Sequence, residues 1–240
     1  LGYFKDDEYG RFGLVFKKPK RASTEAPVSL HTLLTDEDVV VPSLTDRIML
    51  MRLLSETIER LHAVDWLHKG LRSDNILFFN KPGSDEINYA DPYISGFDYS
   101  RPAGRDDMTE RPSDDLAADI YRHPFVQRQG NKGGFKKSHD LYSLGVLLFE
   151  IAYWKPLAQI LGIDLARARP KDAYQVRDRL LATEPTLLLH VRSFSGDTVE
   201  SIIRTCLEGP EAFDLCDDSD GAELQRAFGE KVVARLEHMR

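Results

Sequence analysis

From Leu44 onward, apolar residues fall at Ile48, Met51, Leu54, Ile58, Leu61 and Val64, spacings of three and four that gather them into one stripe of a helix. Ser43 and Asp46, just after Pro42, form the S-x-x-D signal with which helices start. The pattern predicts one helix over 44–66. A second long element, "SHDLYSLGVLLFEIAYW", is apolar nearly all the way round, which predicts a helix buried on every side. Between the two, "NILFF" and "YISGFDYS" are short β-like runs joined by the turn "NKPGSDE". Nearer the start, "RFGLVFKKPK" reads as one strand that Pro19 ends, and "SLHTLL" as a short helix. Later, "AYQVRDRLLA", "DTVESIIRTCLEG" and "GAELQRAFGEKVVARLEHM" read as helices separated by loops. Residues 101–119, rich in Asp, Arg and Pro, form a mobile loop on this reading. The chain contains no internal repeat.

Composition narrows the function classes. With 240 residues, 42% of them hydrophobic, the chain can bury the core of one large domain or two small ones. A net charge of −7 argues against nucleic acid as the main partner. The short basic clusters at 17–21 and at Lys136 and Lys137 read as solvated surface. Cys206 and Cys216 make neither a disulfide framework nor a C-x-x-C pair, so a reducing, cytoplasmic setting is expected. No apolar run approaches the ~18 residues that span a bilayer, and no direct membrane insertion by this stretch is expected. The opening "LGYFKDDEYG" has no signal-peptide character and no initiator Met, which suggests a fragment of something longer.

The chemistry concentrates in "WLHKGLRSDNIL", residues 66–77. His68, Leu71 and Asn75 stand at the offsets of the H-R-D-L-x-x-x-N catalytic loop of protein kinases. Further on come the turn "SGFDYSRP", the segment "YRHPF" and the run Asp140-Leu-Tyr-Ser-Leu-Gly-Val-Leu-Leu-Phe-Glu150. In this order the motifs resemble the C-terminal lobe of protein kinases, from about residue 29 to about residue 210. More narrowly, they resemble the kinase-like regions of filamentous-fungal proteins that follow an N-terminal HeLo-type (prion-inhibition and propagation) helical domain. The resemblance implies a mainly α (α+β) fold: a kinase-like C-lobe over 21–240, a short β pair, and only a remnant of the N-lobe, strand and hinge, in 1–20. It also implies that Asp140 opens the central buried helix and anchors the backbone of the loop near His68 and Lys69.

The catalytic inventory departs from the family at several points. Gly70 stands where the base would be and has no side chain to accept a proton. Gly96-Phe97-Asp98 inverts D-F-G, so the metal-binding carboxylate is displaced by two positions. The family's A-P-E is replaced by His123-Pro124-Phe125, so Phe125 cannot pair with a buried Arg, and Arg204 must be exposed or paired elsewhere. No G-x-G-x-x-G precedes the loop. What survives is His68, Lys69, Arg72 in place of the catalytic-loop Lys, and Asn75. His68 reads as a loop-packing residue, and Asp98 as a tie for the loop backbone. The resemblance therefore implies a pseudokinase, with no catalytic residues and no cofactor. Its partner would be a protein or an attached effector domain. The competing expectation is an unorthodox ATP- and Mg²⁺-dependent kinase, with Asn75 and Asp98 as metal ligands and Asp74 as a substitute base.

Overall fold

An antiparallel hairpin opens the chain, β1 (Gly2–Asp6) pairing with β2 (Arg11–Val15) so that Phe4 lies opposite Gly13. The sequence pattern marks only the second strand. "GYFKD" has no period-two alternation, and its first four residues are exposed, so burial imposes no pattern on it. The computed structural model describes residues 2–8, 10–15, 17–19, 26–103, 115–127, 134–183, 186–216 and 220–239.

Beyond the hairpin, β3 (Val28–Ser29) runs into α1 (Leu30–Thr35), where the Ser29 hydroxyl accepts the Thr32 N–H. Then comes α2 (Leu44–Ala63), with the Ser43 hydroxyl taking the Asp46 N–H at 3.1 Å. Leu50, Met51, Leu54 and Ile58 turn inward on it, as the spacing dictates. The helix stops short of residue 66. Asp65 adopts a left-handed φ of 53°, and Trp66–Leu67 becomes a short strand, β4. Both residues are apolar, so periodicity alone carries the helix through a point where the backbone leaves it.

β5 (Ile76–Phe78) lies between β3 and β6 (Tyr93–Ile94) in a three-stranded antiparallel sheet. β4 pairs with β7 (Arg101–Pro102), so one end of the loop expected over 101–119 is held as a strand. Its other end is the short α3 (Leu116–Asp119), and residues 104–114 between lie outside the described residues.

α4 (Lys137–Tyr153) is buried at every residue from Lys137 to Ala152, the outcome expected of a helix apolar on all sides. Shorter helices follow: α5 (Leu157–Ile160), α6 (Pro170–Tyr174) and α7 (Val176–Leu181). α8 (Leu187–Ser195), which the sequence reading leaves within loops, and α9 (Asp197–Glu208) pack onto one another and onto α4. The last helical run passes from α10 (Gly221–Phe228) through a π-helical turn (Gly229–Val233) into α11 (Ala234–Glu237). The architecture is thus mainly helical α+β, with small antiparallel sheets. Among the described residues no helix is long and apolar enough to cross a membrane.

Where α4 meets α9 the contact is intimate. A Cβ on Gly145 would stand 2.8 Å from the Cβ of Cys206, closer than real side chains approach. Both cysteines are free, Cys206 buried and Cys216 exposed. Burial raises the Cys206 thiol to about 12.

Candidate functional site

The site is built on one buried carboxylate. Asp140, in the first turn of α4, accepts the backbone N–H of His68 at 2.8 Å and that of Lys69 at 2.9 Å. The His62 Nε2, from the last turn of α2, adds a third donor at 3.2 Å. Burial pushes this carboxyl upward, but the surrounding groups, His62 foremost and then His68 and the Lys69 N–H, together outweigh it, and the net shift is down. Fully buried and taking three donors, this carboxylate holds the loop. His62 escaped the sequence reading because it lies on another element, with nothing local to mark it.

His68 is closed in the same way. Its Nδ1 accepts the Gly70 N–H at 3.2 Å, and its Nε2 donates to the Ser95 carbonyl at 3.0 Å. One acceptor and one donor are the pattern of a neutral imidazole. Burial accordingly lowers its pKa, against the pull of Asp140. Phe97 lies tilted against the ring with centroids 4.6 Å apart, and Ser100 donates to the His68 carbonyl at 2.8 Å. Lys69 has a left-handed φ of 67° and carries its Nζ over the Phe135 ring.

Asn75 lies at the centre. Its side-chain NH2 donates to the Gly70 carbonyl at 2.7 Å, and its own carbonyl accepts the Ser95 N–H at 2.8 Å. The amide fills the space in front of Gly96, where a Cβ would come within 2.1 Å of it. Gly96 also has a left-handed φ of 78°, which L side chains rarely adopt. On the other side, a Cβ on Gly70 would meet the Gly96 carbonyl at 3.0 Å. At the two glycines the backbones close on one another, with the Asn75 amide beside them.

The remaining sequence-derived candidates lie on the rim of a cleft of about 350 Å³, lined in part by Gly70, Arg72, Asn75, Gly96, Asp98 and Asp115. Arg72 bridges Asp115 at 3.3 Å and Asp74 at 3.6 Å, so Asp74 is engaged with a cation. Asp98 stands in a single 3-10 turn, Phe97–Tyr99, and is exposed. The backbone tie expected of it is not made: among the described residues its carboxylate has no hydrogen-bond partner. Nor is any group of three or more His, Cys, Asp or Glu placed to hold a metal ion among the described residues. Arg204 is half-exposed and paired along its own helix, with Glu200 at 2.7 Å and Glu208 at 3.6 Å. Phe125 is 55% exposed.

Beneath the cleft runs a buried polar chain. Ser73 shares a 2.8 Å hydrogen bond with Tyr121, whose hydroxyl donates to Glu150 at 2.7 Å. Glu150 also accepts the Leu157 N–H at 2.6 Å, while its second oxygen is buried without a partner. Burial raises this carboxyl to about 7. The signal was present in the sequence as a lone carboxylate within an apolar run, where a charge is costly unless paired. No protein-family model matches the chain, and no curated protein matches it.

Proposed function

We propose that the chain is a kinase-like C-lobe without phosphoryl-transfer activity, a pseudokinase that works as a regulatory or protein-binding module. The observation that carries this reading is the Asn75 amide, bonded to the Gly70 carbonyl and filling the space that a side chain at position 96 would need. Kinase catalysis is chiefly positioning and charge neutralisation around phosphate and magnesium. In this chain the two positions that would supply carboxylates are backbone in mutual contact, and Asp140 and His68 are fully engaged in holding the loop. The order of motifs supports the kinase-like assignment. By the same resemblance, the partner is a protein or an attached HeLo-type effector domain in a fungal, cytoplasmic setting.

The opposing reading, an active kinase, draws on Asp98 and Asn75 lining one cleft. They fit magnesium poorly, since one exposed carboxylate stands beside an amide already committed to a carbonyl. Incubation with labelled ATP and Mg²⁺ separates the two readings. We expect no transfer to the protein or to generic acceptors, and no rise in melting temperature with nucleotide concentration. Labelling that disappears in Asp98→Ala would establish the active reading instead. Gly70→Asp with Gly96→Asp is expected to restore nothing, because a side chain at 96 runs into the Asn75 amide and one at 70 crowds the Gly96 carbonyl.

A further inference from the structure

α4 buries two carboxylates and treats them differently. Asp140 takes three donors, whereas Glu150 takes the Tyr121 hydroxyl and the Leu157 N–H, both on one oxygen. Its other oxygen is buried without a partner. As a neutral acid, Glu150 leaves one O–H unsatisfied there. As an anion it leaves part of a buried negative charge without a donor, which is the costlier state. Ionisation therefore creates a demand for one more N–H or O–H.

Ser73 is placed to meet that demand. Its side chain is fully buried, and its hydroxyl lies 2.8 Å from that of Tyr121. It is also close enough to act on Glu150 itself. Burial raises the Glu150 carboxyl, and the Leu157 N–H, Tyr121 and Ser73 each pull it the other way by hydrogen bonding. Tyr121 is raised well above 10 by its own burial, so it remains a donor throughout. A serine hydroxyl rotates freely enough to exchange one acceptor for another, here the Tyr121 oxygen for the carboxylate. Ser73 also opens a single 3-10 turn, Ser73–Asn75, in which the Asn75 N–H donates to the Arg72 carbonyl at 2.9 Å. In so short a turn a shift of the first residue reaches the third, whose amide holds the Gly70 carbonyl.

The other ionisable groups nearby are fixed by contacts of their own. Asp74, whose charge adds to the rise of Glu150, is bridged by Arg72 at 3.6 Å. His31 of α1 approaches Ser73 from the opposite side, its Nδ1 3.5 Å from the hydroxyl. Arg47 of α2 donates to the Ala152 carbonyl, two residues further along α4.

We propose that Glu150 is a pH-sensitive switch for the loop: protonated, it leaves the turn Ser73–Asn75 in place, and ionised, it takes the Ser73 hydroxyl and draws that turn toward α4. The switch goes beyond the proposed function and does not depend on it, since Ser73, Tyr121 and Glu150 act the same way whether or not the loop transfers phosphate.

The test is an NMR titration of the whole chain across about pH 4–9, following the Glu150 carboxyl carbon and the backbone amides of Asp74 and Asn75. The expected result is one shared midpoint near pH 7. Glu150→Gln should abolish the amide transition, and His31→Gln should leave it in place, which separates the carboxyl from the nearby imidazole. Ser73→Ala is the decisive variant. Its carboxyl should still titrate, at a higher pH for want of one donor, while the amides cease to follow; a mere field effect of the new charge would persist. If Glu150→Gln does not fold, the wild-type and Ser73→Ala titrations decide the matter between them. A Glu150 midpoint in the ordinary range of about 4–5 would overturn the switch. So would an amide transition that survives in Glu150→Gln or Ser73→Ala, or one that vanishes in His31→Gln.

Discussion

Asp140 concentrates more consequence in one side chain than any other residue of the loop region. Removing it strands the N–H groups of His68 and Lys69 and the His62 imidazole in the interior. Each orphaned donor costs roughly 1–3 kcal/mol, so Asp140→Ala should lose well over the ~1 kcal/mol of an ordinary helix cap. Against a typical total of ~5–15 kcal/mol, that is a large drop in the urea midpoint, and an unchanged midpoint would mean the anchor carries no load. Asp140→Asn is the sharper test. Its amide keeps one acceptor oxygen but turns an NH2 toward the second N–H, so it should recover only part of the loss. At position 96 the opposite holds, because there a side chain is the problem. Gly96→Ala must accommodate both a left-handed φ and a 2.1 Å approach to Asn75. It should be destabilised, and Asn75→Ala in the same chain should relieve part of the penalty, a non-additivity that a double-mutant cycle measures.

Among the elements, α4 is the axis, and its fit to α9 is set by the absence of a side chain at Gly145. Gly145→Ala would favour helix propensity but place a methyl 2.8 Å from the Cβ of Cys206. Overpacking of this kind costs ~1–3 kcal/mol, so thermal melting should show a net loss. A gain would mean that α9 can retreat freely. The same two helices mark how far the sequence could be read. α4 and α2 were legible because burial writes itself into periodicity: an apolar stripe for a helix with one buried face, an apolar girdle for a helix with none. The end of α2 was not, because Val64, Trp66 and Leu67 keep an apolar character after Asp65 has turned the backbone. α8 was missed because its buried set, Leu187, Leu188, Val191 and Ser195, is short and mixed with exposed Leu189 and Phe194. At the site, the sequence marked the residues of the loop and the turn, Gly70, Asn75 and Gly96, as well as Asp140. It could not mark His62, Ser73 and Tyr121, whose roles exist only through contacts across elements, nor the 3-10 turn that leaves Asp98 exposed.

At the scale of the whole molecule, three buried titrating groups shape how stability depends on pH, and they do not all pull the same way. Asp140 is held below its ordinary value of 3.8, so its contribution is present above that pH and is lost as pH falls through its lower folded value. His68 is held below 6.5, so the unfolded chain takes up a proton there before the native one does, and stability falls as pH drops below 6.5. Glu150 is opposite in sign. Raised from 4.5 to about 7, it keeps its proton in the native state where the unfolded chain has released it, so stability declines as pH rises from about 4.5 to about 7. Between those limits Glu150 and His68 oppose one another, and the wild-type profile should be flatter than either alone would make it. Glu150→Gln removes one of the two opposing contributions while its amide oxygen still accepts from Tyr121 and Leu157. Urea midpoints collected from pH 5 to pH 7 should then rise with pH in the variant, driven by His68 alone. The variant should overtake the wild type toward pH 7, where the native carboxyl is forced to ionise with one oxygen buried and unpartnered. Parallel profiles for the two proteins would show that Glu150 titrates at an ordinary carboxylate pH, and the chain from Ser73 through Tyr121 would then be holding a charge.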